Sequence, residues 1–233
     1  MKKLTAETQR GAEDSTYEQN PTRITEGSFA MIQREMVEMG LSVAPEIAPI
    51  VERMIHSSAD FDFAKITRYT PNAVPAGVNA ILNGCPIVCD VNMIRVGISA
   101  KRTAAFGNGV HCFVSDPEAF ARAKLEETTR SVIGIRMAHE RGLIEGGVVV
   151  VGNAPTALYE VIELVKQGVR PALIVGVPVG FISSVESKDA LIEQVTEAQW
   201  IATQGRKGGS PIAVSVVNAL LRMAAEVPRT ETD

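Results

Sequence analysis

The stretch GVVVVGNAPTAL, Gly147 to Leu158, decides how this chain folds. Val148 to Val151 are apolar and β-branched at every position, so the segment prefers an extended backbone and must be covered on both faces. Gly152 and Asn153 end the strand. Pro155 and Thr156 open a helix, where Pro is tolerated because the N–H it lacks would have no intrahelical acceptor. A buried strand that turns straight into a helix is the repeating unit of a parallel sheet.

The same unit recurs in both directions along the chain. Further strand candidates are KITRY (Lys65 to Tyr69), PIVCDV (Pro86 to Val91), VHCFV (Val110 to Val114), ALIVGV (Ala172 to Val177) and WIATQ (Trp200 to Gln204). Helical spacing marks Ile24 to Met39, and a segment after Pro45 with Ile47, Ile50, Val51, Met54 and Ile55 on one side. It also marks Pro117 to Arg141 as one long helix, then Thr156 to Gln167, Lys188 to Glu197 and Pro211 to Glu226. The expected architecture is α/β: a doubly wound, mainly parallel sheet with helices on both faces. Residues 1–20 are polar and read as a mobile arm, residues 21–227 as a single domain, and 228–233 as a tail.

With 233 residues, 45% of them hydrophobic, the chain can bury a full core. A net charge of −4 with mixed signs leaves no basic footprint for nucleic acid. No apolar run approaches the ~20 residues that span a bilayer, and the first twenty residues lack the apolar stretch of a signal peptide. A cytoplasmic protein without membrane or nucleic-acid partners is expected. Cys85, Cys89 and Cys112 form no CxxC pair, so reduced thiols are expected rather than a zinc site with His111.

In a doubly wound sheet, ligands bind beyond the carboxyl ends of the strands. Three loops there combine small residues with helix starts: Gly152 to Thr156; GVPVGF leading through Ser183 to Lys188; and GRKGGSP, where Arg206 and Lys207 sit among glycines. Each could be ordinary turn geometry. Together, with helix N-termini that favour anions, they suit a ligand carrying several anionic groups. No GxxxxGK[ST] or GxGxxG is present, so a nucleotide lacks its fingerprint, whereas a polycarboxylate would serve equally well. Of the three histidines, His139 reads as solvated and His111 as a core residue. His56 ends an apolar helix and precedes SSADFDF, whose Asp60 and Asp62 could hold a proton on the imidazole. It reads either as an ordinary helix end or as an acid–base group.

Seven segments together resemble the precorrin-8 methylmutase (precorrin isomerase) family of cobalamin biosynthesis: SFAMI (Ser28 to Ile32), RMIHSSADFDF (Arg53 to Phe63), CDVNMIRVGIS (Cys89 to Ser99), TTRS (Thr128 to Ser131), VGNAPTAL (Val151 to Leu158), GVPVGFISSVESK (Gly176 to Lys188) and GRKGGS (Gly205 to Ser210). The resemblance spans about Pro21 to Leu221. It implies a flavodoxin-like fold and a homodimer. It further implies an isomerase that moves a methyl group from carbon 11 to carbon 12 of a corrin-type macrocycle, with no separate cofactor. Any cobalt would be carried by the substrate, and HSSADFDF is slightly closer to the cobalt-containing branch. His56 would be the catalytic proton donor, and Ser28, Ser99 and Arg130 substrate contacts. Asn153, Thr156, Lys188, Arg206 and Lys207 are further candidate contacts for the carboxylates. A tetrapyrrole-binding or delivery protein is the alternative.

Overall fold

A computed structural model describes residues 17–228. Most of the arm over residues 1–20 and of the tail over 228–233 therefore lies outside the described residues. The chain divides into two compact units, Met1–Ser42 and Val43–Asp233. In the first, helix α1 (Pro21–Glu38) is capped by the Asn20 side chain, which accepts from the Thr22 and Arg23 N–H groups. Helix α1 falls within the span 21–227 expected as one domain.

The second unit is an α/β sheet domain. Its elements run α2 (Ala48–Ser58), α3 (Phe63–Ile66), β1 (Thr67–Tyr69), α4 (Ala73–Leu82), β2 (Ile87–Cys89), α5 (Asn92–Gly97), α6 (Ala100–Phe106) and β3 (Val110–His111). They continue with α7 (Pro117–Leu125), α8 (Arg130–Glu140), β4 (Val148–Val151), α9 (Pro155–Lys166), β5 (Leu173–Gly176), α10 (Ser184–Gln194), β6 (Trp200–Thr203) and α11 (Ser210–Glu226). All six strands expected from the apolar runs are present, in the order β1-β6-β5-β4-β2-β3. Pairing is parallel except between β1 and β6. Without β1, the order is that of a flavodoxin-like doubly wound sheet, whose direction of winding reverses between β2 and β4.

Burial explains why the valines decide the fold. Val148 to Val151 are each no more than 1% exposed. Val149 and Val151 pack with Ile174 and Ala202 against Leu158, Val161 and Leu191 of α9 and α10. On the opposite face Leu173 meets α4 and α11, where a Cβ on Gly77 would lie 2.8 Å from Leu173 Cδ2. The five apolar residues placed on one side of α2 are all buried as well.

One expected element is wrong. The long helix over Pro117 to Arg141 is two helices, broken where Glu127 takes a left-handed conformation (φ 48°) and Thr129 caps α8 by accepting from the Val132 N–H. Thr favours this role because its hydroxyl satisfies a donor the helix cannot. Arg130 thereby moves from mid-helix to a helix start. The segments α4, α5 and α6 were not singled out in the sequence.

Candidate active site

Helix α2 carries His56 in its last turn and ends at Ala59, whose left-handed conformation (φ 54°) stops it. Four buried apolar side chains fix the helix on the core, and the imidazole stands on the exposed side. Beyond it, Ser57 and Ser58 both donate to the Met54 carbonyl, and Asp60 accepts from the Asp62 N–H. These bonds fold SSADFD into a tight loop.

That loop forms one wall of a cleft of about 310 Å³, lined by Ser57, Ser58, Asp60 and Phe63, and on the other side by Val179, Lys207, Gly208, Pro211 and Ile212. Lys207 Nζ crosses between the walls, 2.6 Å from Asp60 Oδ2 and 2.7 Å from Asp62 Oδ2. Both hydrogen bonds raise the Lys207 pKa, and the same contact lowers that of Asp62. The two aspartates expected to act on His56 are therefore engaged by Lys207. Gly208 is required here: its φ is +155°, and a Cβ would overlap the Val177 carbonyl.

Lys188 is fully buried, and its ammonium donates to the Lys207 carbonyl, which also accepts from Thr203 Oγ1. Burial lowers its pKa to about 8. The side chain thus braces the Lys207 loop from inside rather than presenting its charge to the cleft. Arg206 is exposed, its guanidinium 5.1 Å from the centre of the Phe181 ring.

At the winding reversal, the residue that organises the loops is Asp90, which the sequence reading quoted within a motif without assigning it a role. Its carboxylate accepts from the Gly152, Asn153 and Ala154 N–H groups at 3.2, 2.9 and 2.7 Å. Burial raises its pKa, and those three donors oppose the rise. A lone acid directly after the buried strand IVC was the available signal. Asp90 fills the start of α9, the place where a doubly wound nucleotide enzyme holds phosphate. The nucleotide reading loses its site, and Asn153 keeps only its exposed side chain for a ligand.

Asp90 also brings the starts of α8 and α9 together: Ser131 Oγ donates to its carbonyl, and Thr129 Oγ1 lies 2.9 Å from Thr156 Oγ1. Arg130 stands beside this pair, exposed, with its guanidinium 4.3 Å from the Phe120 ring centre. A cation in a first helical turn opposes the helix dipole, so helix stability does not account for it. Ser99 precedes α6; its N–H donates to Asn218 Oδ1 and its hydroxyl accepts from Arg102 at 3.5 Å. Ser28 lies on α1 in the first unit, where its hydroxyl donates to the Ile24 carbonyl.

All three cysteines are free, and burial pushes the Cys89 and Cys112 thiols up. Among the described residues no group of three His, Cys, Asp or Glu is placed to hold a metal ion, and no helix is long and apolar enough to cross a membrane.

Comparison with known proteins adds the family. The precorrin-8X methylmutase family model matches residues 23–223. The cobalt-precorrin-8 methylmutase of Leptospira interrogans is 43% identical over 204 residues, 85% of this chain and 92% of that one. That of Methanocaldococcus jannaschii is 45% identical over 176 residues, covering 75% and 79%. The crystal structure of the Thermus thermophilus precorrin-8x methyl mutase superposes with a TM-score of 0.82 at 42% identity, over 91% of this chain and all of that one. With such agreement in sequence and in fold along nearly its whole length, this chain belongs to the precorrin-8X methylmutase family.

Proposed function

We propose that this protein is the isomerase that moves a methyl group from carbon 11 to carbon 12 of precorrin-8 or its cobalt form, giving hydrogenobyrinic or cobyrinic acid, with His56 as the proton donor. The observation that carries the reading is the position of His56, exposed at the end of α2 and immediately before the two serines that line the cleft. Protonating the macrocycle withdraws electron density from its conjugated system and lowers the barrier to migration, and the proton returns to His56 afterwards. Positioned acid catalysis of this kind contributes about 10²–10⁴ in rate. The step is an isomerisation, so it needs no redox partner.

The cleft is at the small end of ligand pockets, which suits one edge of a macrocycle with its carboxylate arms reaching the surrounding loops. Arg130 is the strongest candidate for such an arm, since a guanidinium grips a carboxylate with two parallel bonds. Ser99, Asn153, Thr156 and Arg206 are hydroxyl, amide or charged groups for the others. Lys207 holds the cleft's two walls together. A homodimer belongs to the same reading, supported by Phe181 and Ile182, which are 79% and 87% exposed near the cleft.

The test is conversion of precorrin-8, metal-free and cobalt-containing, to a product of equal mass with a changed visible spectrum. His56→Leu should abolish turnover and still bind product; full turnover in that variant would remove His56 from the mechanism. Sedimentation at micromolar concentration decides the dimer.

A further inference from the structure

Two groups of arginines contrast among the described residues. Arg122 is held by Glu118, Glu126 and Glu140, and Arg136 by Glu126 and Glu160. These are saturated, structural charges. Arg102 and Arg222, both half-buried, have no ion-pair partner among the described residues. They converge on Arg53, itself half-buried: burial first, then the charges of Arg222 and Arg102, lower its pKa, against an opposing effect from Glu226. Arg102 and Arg222 thus bring two cations without ion pairs beside a third in a partly desolvated place, an arrangement that favours a bound anion.

The helices explain the convergence. Helix α11 packs along α2 and against α6. Asn218 of α11 ties down the start of α6 by accepting from the Ser99 N–H and donating to the Gly97 carbonyl. Arg222 is one turn beyond Asn218, Arg102 one turn beyond Ser99, and Arg53 one turn before His56 on α2. Along α2, His56 is therefore flanked by the cleft-lining Ser57 and Ser58 on one side and by the arginines on the other.

We propose that Arg102 and Arg222, together with Arg53, form a carboxylate-binding subsite that receives acidic side chains of the macrocycle on the side of His56 away from the cleft. This assignment rests on the methylmutase reading. The subsite orients the ring by its periphery, so that the acid meets one position of the conjugated system. Contacts remote from the reacting carbon act equally on ground and transition states, so their loss raises KM and leaves kcat nearly unchanged.

The experiment uses Arg102→Gln, Arg222→Gln, the double variant, and the corresponding Lys variants, with cobyrinic acid as the binding probe and precorrin-8 as substrate. Each Gln variant should weaken cobyrinic acid binding by about 10- to 100-fold, the range for a charge-assisted hydrogen bond. KM should rise in parallel, with kcat within a few-fold of the parent, and the thermal midpoint should hold or rise as repulsion is relieved. The Lys variants should lose less, and they decide the matter if the Gln variants do not fold. Wild-type turnover combined with unchanged binding in the double variant, or in the Lys variants if those alone fold, would overturn the subsite alone. Absence of turnover and binding in the wild type would overturn the methylmutase reading and the ligand assignment with it.

Discussion

Lys207 Nζ lies 2.6 Å from Asp60 Oδ2, a contact between residues 147 positions apart that joins the loop after His56 to the glycine loop before α11. Asp62 makes the second half of the clasp. Exposed ion pairs contribute little to stability, so the clasp matters for position. Lys207→Met should leave the melting temperature nearly unchanged and lower kcat/KM clearly, because the SSADFD loop that carries the chain away from His56 is released. A melting temperature that falls as steeply as activity would instead assign Lys207 a mainly structural role.

Asp90→Asn should destabilise the fold by about 2–3 kcal/mol, the loss expected when hydrogen bonds to a charged acceptor are removed. An amide keeps one acceptor oxygen but turns N–H donors toward the backbone donors of the Asn153 and Ala154 region. Urea denaturation reads the change. Turnover should fall as well, since Thr129, Arg130 and Thr156 lose their common anchor.

Gly152 is a test of close approach. A Cβ there would lie 2.8 Å from Ala213 Cβ and 2.9 Å from Ile94 Cδ1, with the Gly209 carbonyl at 3.1 Å. Gly152→Ala should cost about 1–3 kcal/mol by overpacking and shift α11 away from β4. Equilibrium unfolding that matches the parent would show that the contact relaxes freely.

Lys188 gives a pH signature. Its folded pKa is about 8, below the 10.5 of a free lysine, because burial disfavours the charge. Below pH 8 both folded and unfolded chains hold the proton, and the full burial penalty applies. Between about 8 and 10.5 the unfolded chain holds more protons, so stability rises with pH. Relative to Lys188→Met, the wild-type protein should therefore gain stability as pH is raised from 7 to 10. Chemical denaturation at several pH values measures the difference, and a difference that does not change with pH would mean the ammonium is solvated.

Much of the fold was legible because burial is written into local patterns. Val148 to Val151, and the stripe Ile47, Ile50, Val51, Met54 and Ile55, have one satisfactory environment each. The break at Glu127 was not legible, because periodicity runs on through Pro117 to Arg141 and the left-handed residue is not a glycine. The strand at KITRY was legible, but its place was not, since three residues cannot announce that they pair antiparallel with β6 from the far end of the chain.

By itself the sequence determined the strand–helix alternation, the sheet's mainly parallel character and the family, because repeated apolar runs and seven ordered motifs are properties of the chain read locally. The family resemblance also singled out His56 as the proposed proton donor. Only the tertiary structure decided what the charged residues do. Lys188 looked like a contact and is buried, Asp60 and Asp62 looked like partners of His56 and hold Lys207, and Asp90 carried no role and anchors the loops. The physical reason is that a charge is defined by what lies within a few ångströms of it, and in this fold those neighbours come from segments 19 to 147 residues away.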